Sequence, residues 1–177
     1  MVIRSLGDEF WFMRHGTTAS NGAGRIAGFT DEPLTPEGRE LAARQAEKLR
    51  GIPLGSLWAS TLVRARQTAE AVQAVSGAPL FLLDELRERN WGVWEGRQRA
   101  ELRREEKPSG GEGPDEFHLR IQAGLRRICG PAPAMIVAHS GTAREIFALL
   151  GLPFVRPDNC DVLHFRLEGR HWIVTKL

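Results

Sequence analysis

Continuous apolar runs alternate along this chain with polar, glycine-rich stretches and with segments of helical period. Phe10-Trp11-Phe12-Met13 is apolar throughout and predicts a buried strand that stops at Arg14. Ser20 to Pro33 is polar, rich in glycine and without period, so it reads as a loop. Thr35-Pro36-Glu37 then opens a helix: threonine caps, proline takes the first helical position and a carboxylate faces the positive end. Leu41, Ala42, Ala46 and Leu49 form its apolar stripe, and Gly51 ends it. Leu57-Trp58-Ala59 is a short strand. Ser60 is expected to cap a helix through Ser76, closed by Gly77, and Leu80 to Leu83 makes the next strand.

Pro114 to Cys129 carries the clearest helical pattern. Phe117, Ile121, Leu125 and Ile128 share one face, with acids in the first turn and Arg126 and Arg127 in the last. Ala134 to Ala138 predicts a strand and Thr142 to Leu150 a helix ended by Gly151. Val162 to Leu167 and Trp172 to Thr175 predict a closing pair of strands. No repeat or linker divides the chain. Strand-helix alternation predicts α/β architecture over residues 1–177 as one domain: a three-layer α/β/α sandwich with a mostly parallel central sheet.

Two histidines occupy equivalent places in this pattern. His15 follows the first strand, within Arg14-His15-Gly16-Thr17-Thr18, and His139 follows Ala134–Ala138, just before Ser140-Gly141. Ligands of parallel sheets bind at the carboxyl ends of strands, so two strands each deliver an imidazole to one sheet edge. Arg64 falls just after another strand, in the first turn of a helix, and Glu88 follows a fourth. Arg14, His15, Arg64, Glu88 and His139 are expected to meet at that edge.

The 177 residues carry a net charge of only +2 without a run of like charge, which speaks against nucleic acid as a partner. Twenty-one of the 24 basic residues are arginine. Genomic base composition or adaptation to heat explains much of that excess, although the guanidinium fork also matches phosphate in two-point contact. Cys129 and Cys160 make no CxxC pair and are read as unbonded thiols. Met1 to Gly7 lacks the apolar core of a signal peptide, and no stretch reaches membrane-spanning length. A cytoplasmic protein without a membrane partner is expected.

The blocks resemble those of the histidine phosphatase superfamily, the phosphoglycerate mutase-like family. Arg14-His15-Gly16 with Thr18 and Asn21 comes first, then Gly28, Asp31 and Pro33-Leu34-Thr35 with Gly38. The Arg64-Ala65-Arg66-Gln67-Thr68-Ala69-Glu70 stretch follows, and then Glu88 with Gly92 and Gly96. The resemblance implies that His15 attacks phosphorus to give a phosphohistidine, with a carbonyl near Gly16 fixing its tautomer. Arg14, Arg64 and His139 neutralise the phosphoryl oxygens, helped by Asn21 and by backbone N–H groups at Ser140 and Gly141. Glu88 is the general acid. Thr18, Gly28 and Arg89 complete the expected substrate contacts, and Arg103 and Arg104 are candidates to meet a carboxylate. No spacing suggests a metal site.

Thr17, Ala27, Gly113 and Ser140 depart from the family's usual residues, which bears on pocket size and substrate. His118, His164 and His171 are read as surface or core histidines, and Glu95 and Arg66 as supports of the fold. Trp91 and Trp94 either line the pocket or pack. The expected function is metal-independent hydrolysis of a small phosphorylated metabolite without a cofactor. A phosphoglycerate mutase, with 2,3-bisphosphoglycerate as phosphoryl donor, is the alternative. A phosphate-binding module without turnover is the third reading. Only Arg97 to Gly113 separates the Glu88 block from the next helix, which predicts a short, open loop and a wet site, and so favours the phosphatase.

Overall fold

The computed structural model describes residues 6–177; most of the Met1 to Gly7 segment, read above for a leader, lies outside the described residues. Strands β1 (Glu9–Arg14), β2 (Ser56–Ser60), β3 (Leu80–Leu83), β4 (Ala134–Ala138), β5 (Val162–Glu168) and β6 (His171–Lys176) form one sheet in the order β3-β2-β4-β1-β5-β6. β3, β2, β4 and β1 pair in parallel; β5 alone is reversed, antiparallel to both β1 and β6. Helices α1 (Ala19–Gly22), α2 (Pro36–Glu47), α3 (Val63–Ser76), α4 (Pro114–Arg127) and α5 (Ser140–Leu149) accompany it, and short 3-10 turns at Asp84–Leu86, Gly92–Trp94 and Arg99–Glu101 lie between β3 and α4.

The continuous apolar run of β1 has a direct physical cause. Side chains alternate across a strand, and both faces of this one are covered. Phe10 and Phe12 pack with Ile121 and Leu125 of α4 and with Ile146 and Phe147 of α5. Trp11 and Met13 pack on the other face with Ala42 and Ala46 of α2 and with Ala69 and Val72 of α3. The predicted three-layer sandwich is therefore present. Each large apolar side chain buried here contributes roughly 1.5–3 kcal/mol.

Register brings the histidines together. Arg14 pairs with Ala138, so His15 and His139 leave neighbouring strands at the same level. The His15 amide donates to the Ala138 carbonyl at 2.9 Å, extending the ladder to the edge of the site.

Several boundaries differ from the sequence reading. The loop from Ser20 to Pro33 contains most of α1, a single turn that Thr18 and Asn21 cap reciprocally. Ser60 is not the cap of α3; that position is Leu62, and Ser60 Oγ instead accepts the Leu62 amide at 3.2 Å. α5 begins at Ser140, earlier than expected, because His139 is already extended and serves as its cap position. α2 ends at Glu47, before Gly51, and α4 ends at Arg127, before Cys129. Both cysteines are free. Among the described residues no helix is long and apolar enough to cross a membrane.

Candidate active site

His15 Nδ1 lies 2.7 Å from the Gly16 carbonyl oxygen. A carbonyl only accepts, so Nδ1 carries the hydrogen and Nε2 keeps its lone pair. Burial, then the charges of Arg64 and Arg14, hold the imidazole well below its ordinary pKa and hence neutral. The loop beneath it is pinned from several directions. The Gly16 amide donates to Thr68 Oγ1 at 2.9 Å, and Asn159 Nδ2 donates to the His15 and Gly16 carbonyls at 2.9 and 3.1 Å.

Three buried nitrogens beside His15 have no hydrogen-bond partner among the described residues: Arg14 Nε, Arg64 Nε and His139 Nδ1. Their side chains are otherwise anchored. Arg14 Nη1 donates to the Pro157 carbonyl at 3.0 Å, and Arg64 donates to the Thr30 and Gly28 carbonyls at 2.9 and 2.7 Å. The His139 ring lies 5.1 Å from the His15 ring, centroid to centroid, with Nε2 held 2.8 Å from Ser60 Oγ. Burial, then Arg156 and Arg99, lower the Arg14 pKa to about 10, which leaves it cationic at neutral pH. Unsatisfied buried donors are uncommon and costly, so donors gathered around a nucleophilic nitrogen mark an anion site. Trp11 Nε1, also buried without a partner, lies in the core and not at this edge.

Glu88 joins the cleft that Arg14, His15, Arg64 and Ser140 line. Its Oε1 accepts the Arg89 amide at 2.9 Å and its Oε2 the Gly141 amide at 3.0 Å. A Cβ at position 141 would run into this carboxyl group, so the glycine lets the Glu88 carboxyl approach the α5 backbone. Arg120 holds the backbone behind Glu88 by donating to the carbonyls of Glu85, Arg87 and Glu88.

A neutral imidazole, unpaired donors from two arginines and a second histidine, and a carboxyl in the same cleft are the parts of a phosphoryl-transfer site. The chain matches the family described as Histidine phosphatase superfamily (branch 1) over residues 10–177. It belongs to that superfamily. It is thus an enzyme of phosphoryl transfer, and relatives of two kinds resemble it along nearly its whole length. An adenosylcobalamin/alpha-ribazole phosphatase of Salmonella typhimurium is 31% identical over 93% of this chain and 88% of its own. A probable phosphoglycerate mutase GpmB of Salmonella choleraesuis is 27% identical over 94% of this chain and 88% of its own. The crystal structure of a phosphoglycerate mutase from Thermus thermophilus superposes with a TM-score of 0.78 at 32% identity, covering 96% of this chain and 98% of that one.

Within this histidine phosphatase fold, Asn21, Gly28 and Ser140 reach the cleft as the sequence suggested. The Asn21 amide oxygen is taken by the Thr18 amide and by Asn159, which leaves its nitrogen for a ligand oxygen. Gly28 sits at φ +55°, where a Cβ would collide with Glu95. Ala27 also lines the cleft and offers no side-chain donor there.

Three expected contacts have other work. Thr18 is fully buried and donates to Glu32 Oε1 at 2.6 Å, so it shapes the α1 turn and not the cleft wall. The Arg89 guanidinium donates to the carbonyls of Arg104, Glu106 and Glu112 and lies over the Trp91 ring. It is a strut for the segment after Gly96. The Gly141 amide is occupied by Glu88 and serves that residue's position.

The remaining assignments resolve simply. Arg104 lines the cleft, whereas exposed Arg103 pairs with Glu106. Trp91 both packs and lines the wall. Glu95 accepts the amides of Phe29, Thr30 and Trp91, a structural role, and Arg66 pairs with Glu70 on the surface. His118 pairs with Glu145, His164 stacks on Trp11, and His171 is exposed. The predicted open loop is a correction: Arg99, Leu102 and Arg104 of that segment form a wall of the cleft. Sequence reasoning also missed Arg25, which lines the cleft, and Asn159. The reversal of β5 explains Asn159, since the turn preceding β5 must end where β1 ends. Among the described residues no group of three or more His, Cys, Asp or Glu is placed to hold a metal ion.

Proposed function

We propose that this enzyme hydrolyses a phosphomonoester of a small metabolite through a phosphohistidine on His15, without a metal ion. The observation that carries the reading is the set of unpartnered buried donors, Arg14 Nε, Arg64 Nε and His139 Nδ1, beside the free Nε2 of a neutral histidine. In the first step Nε2 bonds to phosphorus while the ester P–O bond breaks, and the leaving oxygen takes a proton from Glu88. In the second step water bonds to phosphorus, its proton passes to Glu88, and the P–N bond breaks to release inorganic phosphate. The three donors meet the charge on the equatorial oxygens, the task a metal performs elsewhere. The unbonded thiols fit a reducing compartment, and we place the enzyme in the cytoplasm.

Mutase activity is a second reading, favoured by one observation: the segment carrying Arg99, Leu102 and Arg104 covers part of the cleft. Hydrolysis is preferred because two of those three side chains are charged, and a charged wall retains water that an apolar lid would expel.

Labelling from a radioactive phosphate ester tests the proposal. Wild-type protein should acquire an acid-labile, alkali-stable label, and His15→Ala should acquire none. Turnover should survive exhaustive chelation. Label on serine, label persisting in His15→Ala, or a requirement for Mg²⁺ or Zn²⁺ would overturn it. Isomerisation of 3-phosphoglycerate faster than phosphate release would establish the mutase instead.

A further inference from the structure

We propose that Asn159 is a positioning residue of the transfer site: one side-chain nitrogen fixes both the carbonyl that aligns His15 and the direction in which the Asn21 amide faces the cleft. This rests on the phosphatase reading for the role of His15.

Asn159 Nδ2 lies 2.9 Å from the His15 carbonyl oxygen, 3.1 Å from that of Gly16 and 3.0 Å from Asn21 Oδ1. Backbone carbonyls only accept, so the atom facing them must be the nitrogen of the amide and not its oxygen. Its two hydrogens are shared among three oxygens. The Gly16 carbonyl has two lone pairs, and it accepts from His15 Nδ1 at 2.7 Å as well as from Asn159. Asn159 therefore aims the group that holds the nucleophile's ring.

The third contact reaches a different part of the site. The Thr18 amide donates to Asn21 Oδ1 at 3.2 Å, and Asn159 donates to the same oxygen. Two donors on the Asn21 oxygen keep it directed away from an anion and leave the nitrogen to meet one. An Asn21 amide turned over would set its oxygen against the oxygens of a phosphate. His15 and Asn21 line the cleft, whereas Asn159 does not, so its effect on a ligand passes through them.

The turn that carries Asn159 is closed on itself and tied to the end of β1. The Asp161 amide donates to the Asp158 carbonyl at 3.1 Å, the Asp158 amide donates to Asp161 Oδ2 at 2.8 Å, and Lys176 of β6 pairs with Asp161 at 2.8 Å. The Cys160 amide donates to the carbonyls of Arg14 and His15 at 3.0 and 3.3 Å, and the Arg14 amide donates to the Asp161 carbonyl at 3.2 Å. Cys160 has φ +62° and is the one non-glycine residue in the left-handed region among the described residues. Its side chain is fully buried, in the core cluster that includes Met13 and Val162. Such a conformation persists only where the surroundings over-determine it, and the contacts on both sides of Cys160 do so here.

Binding of inorganic phosphate, which needs no turnover, is compared by calorimetry in wild type, Asn21→Ala, Asn159→Ala, Asn159→Asp and the double variant Asn21→Ala with Asn159→Ala. Asn159→Ala should weaken phosphate about fivefold, as Asn21→Ala does, and combining them should cost no more than about a further twofold. Asn159→Asp keeps the shape and loses the donors, so it should weaken phosphate at least as much as Asn159→Ala. In rapid-quench measurements at saturating aryl phosphate, phosphohistidine formation should slow about tenfold in Asn159→Ala, beyond the effect of Asn21→Ala, because the His15 loop is also released. Fully additive losses of phosphate affinity, wild-type affinity in Asn159→Asp, or wild-type phosphohistidine formation in Asn159→Ala would overturn the inference. So would an unchanged phosphate affinity in Asn21→Ala, a half-buried position that can be replaced even where Asn159 variants do not fold. The phosphatase reading is judged apart, by whether wild-type protein forms phosphohistidine at all.

Discussion

Ser60 Oγ lies 2.8 Å from His139 Nε2, joining the last residue of β2 to the residue that follows β4. The Leu62 amide can only donate to this oxygen, so among the described residues the hydroxyl hydrogen has its acceptor at the imidazole nitrogen. Nε2 then accepts, and Nδ1 carries the hydrogen that finds no protein partner. Ser60 therefore sets the tautomer of a residue 79 positions further along the chain. Ser60→Ala should lower kcat about tenfold, the equivalent of one hydrogen bond at ~1.4 kcal/mol, with a smaller change in KM. An unaltered kcat would remove Ser60 from the control of His139.

Arg64→Lys should be far from conservative. Two nitrogens of the guanidinium hold the Thr30 and Gly28 carbonyls while Nε remains for a ligand. An ammonium cannot do both from one fixed plane. By analogy with the loss of one well-placed donor, kcat should fall roughly 10²–10³-fold. A loss below tenfold with unchanged KM would place Arg64 outside the reacting centre.

Glu88→Gln should separate the two chemical steps. Aryl phosphates have good leaving groups and need little protonation, whereas alkyl phosphates depend on it. The variant should form phosphohistidine from an aryl phosphate and accumulate it, because no base remains to activate water. Alkyl phosphate turnover should fall much further than aryl phosphoenzyme formation. Equal losses in rapid-quench measurements would argue against Glu88 as the proton carrier.

Acid should weaken the fold through the site histidines. Burial, then nearby arginine charge, holds His15 and His139 neutral in the folded protein. The unfolded chain takes up protons below about pH 6.5, so the stability tied to the neutral rings is complete above that pH and is lost as pH falls. Each ring contributes a slope of up to about 1.4 kcal/mol per pH unit over that interval. Denaturant melts at pH 7.5 and 5.5 should show a steeper loss for wild type than for His15→Gln. Identical slopes would mean that the ring is not held neutral.

Much of the candidate site is legible in the sequence alone. A strand covered on both faces must read as a continuous apolar run, and the polar residue that ends it must lie at the sheet edge; Arg14 and His15 were visible for that reason. Arg64 and Glu88 were placed by the same logic and by the family's blocks. Thr18, Arg89 and Gly141 bond within the protein instead, because a polar group near a site can serve the ligand or the scaffold, and sequence does not distinguish the two. Arg89 shows why: its partners are carbonyls of Arg104, Glu106 and Glu112, which side-chain identity does not encode.

Alone, the sequence determined the order of strands and helices, the three-layer sandwich and the delivery of two histidines to one edge. Those features follow from local periodicity, capping and strand polarity, each contained in a few consecutive residues. Tertiary structure decided which donors were already occupied and which stayed free. It drew Asn159 beneath His15 through the reversal of β5, and folded Arg99 and Arg104 over the cleft. These outcomes depend on backbone groups far apart in the chain, and only the folded chain brings them within hydrogen-bonding distance.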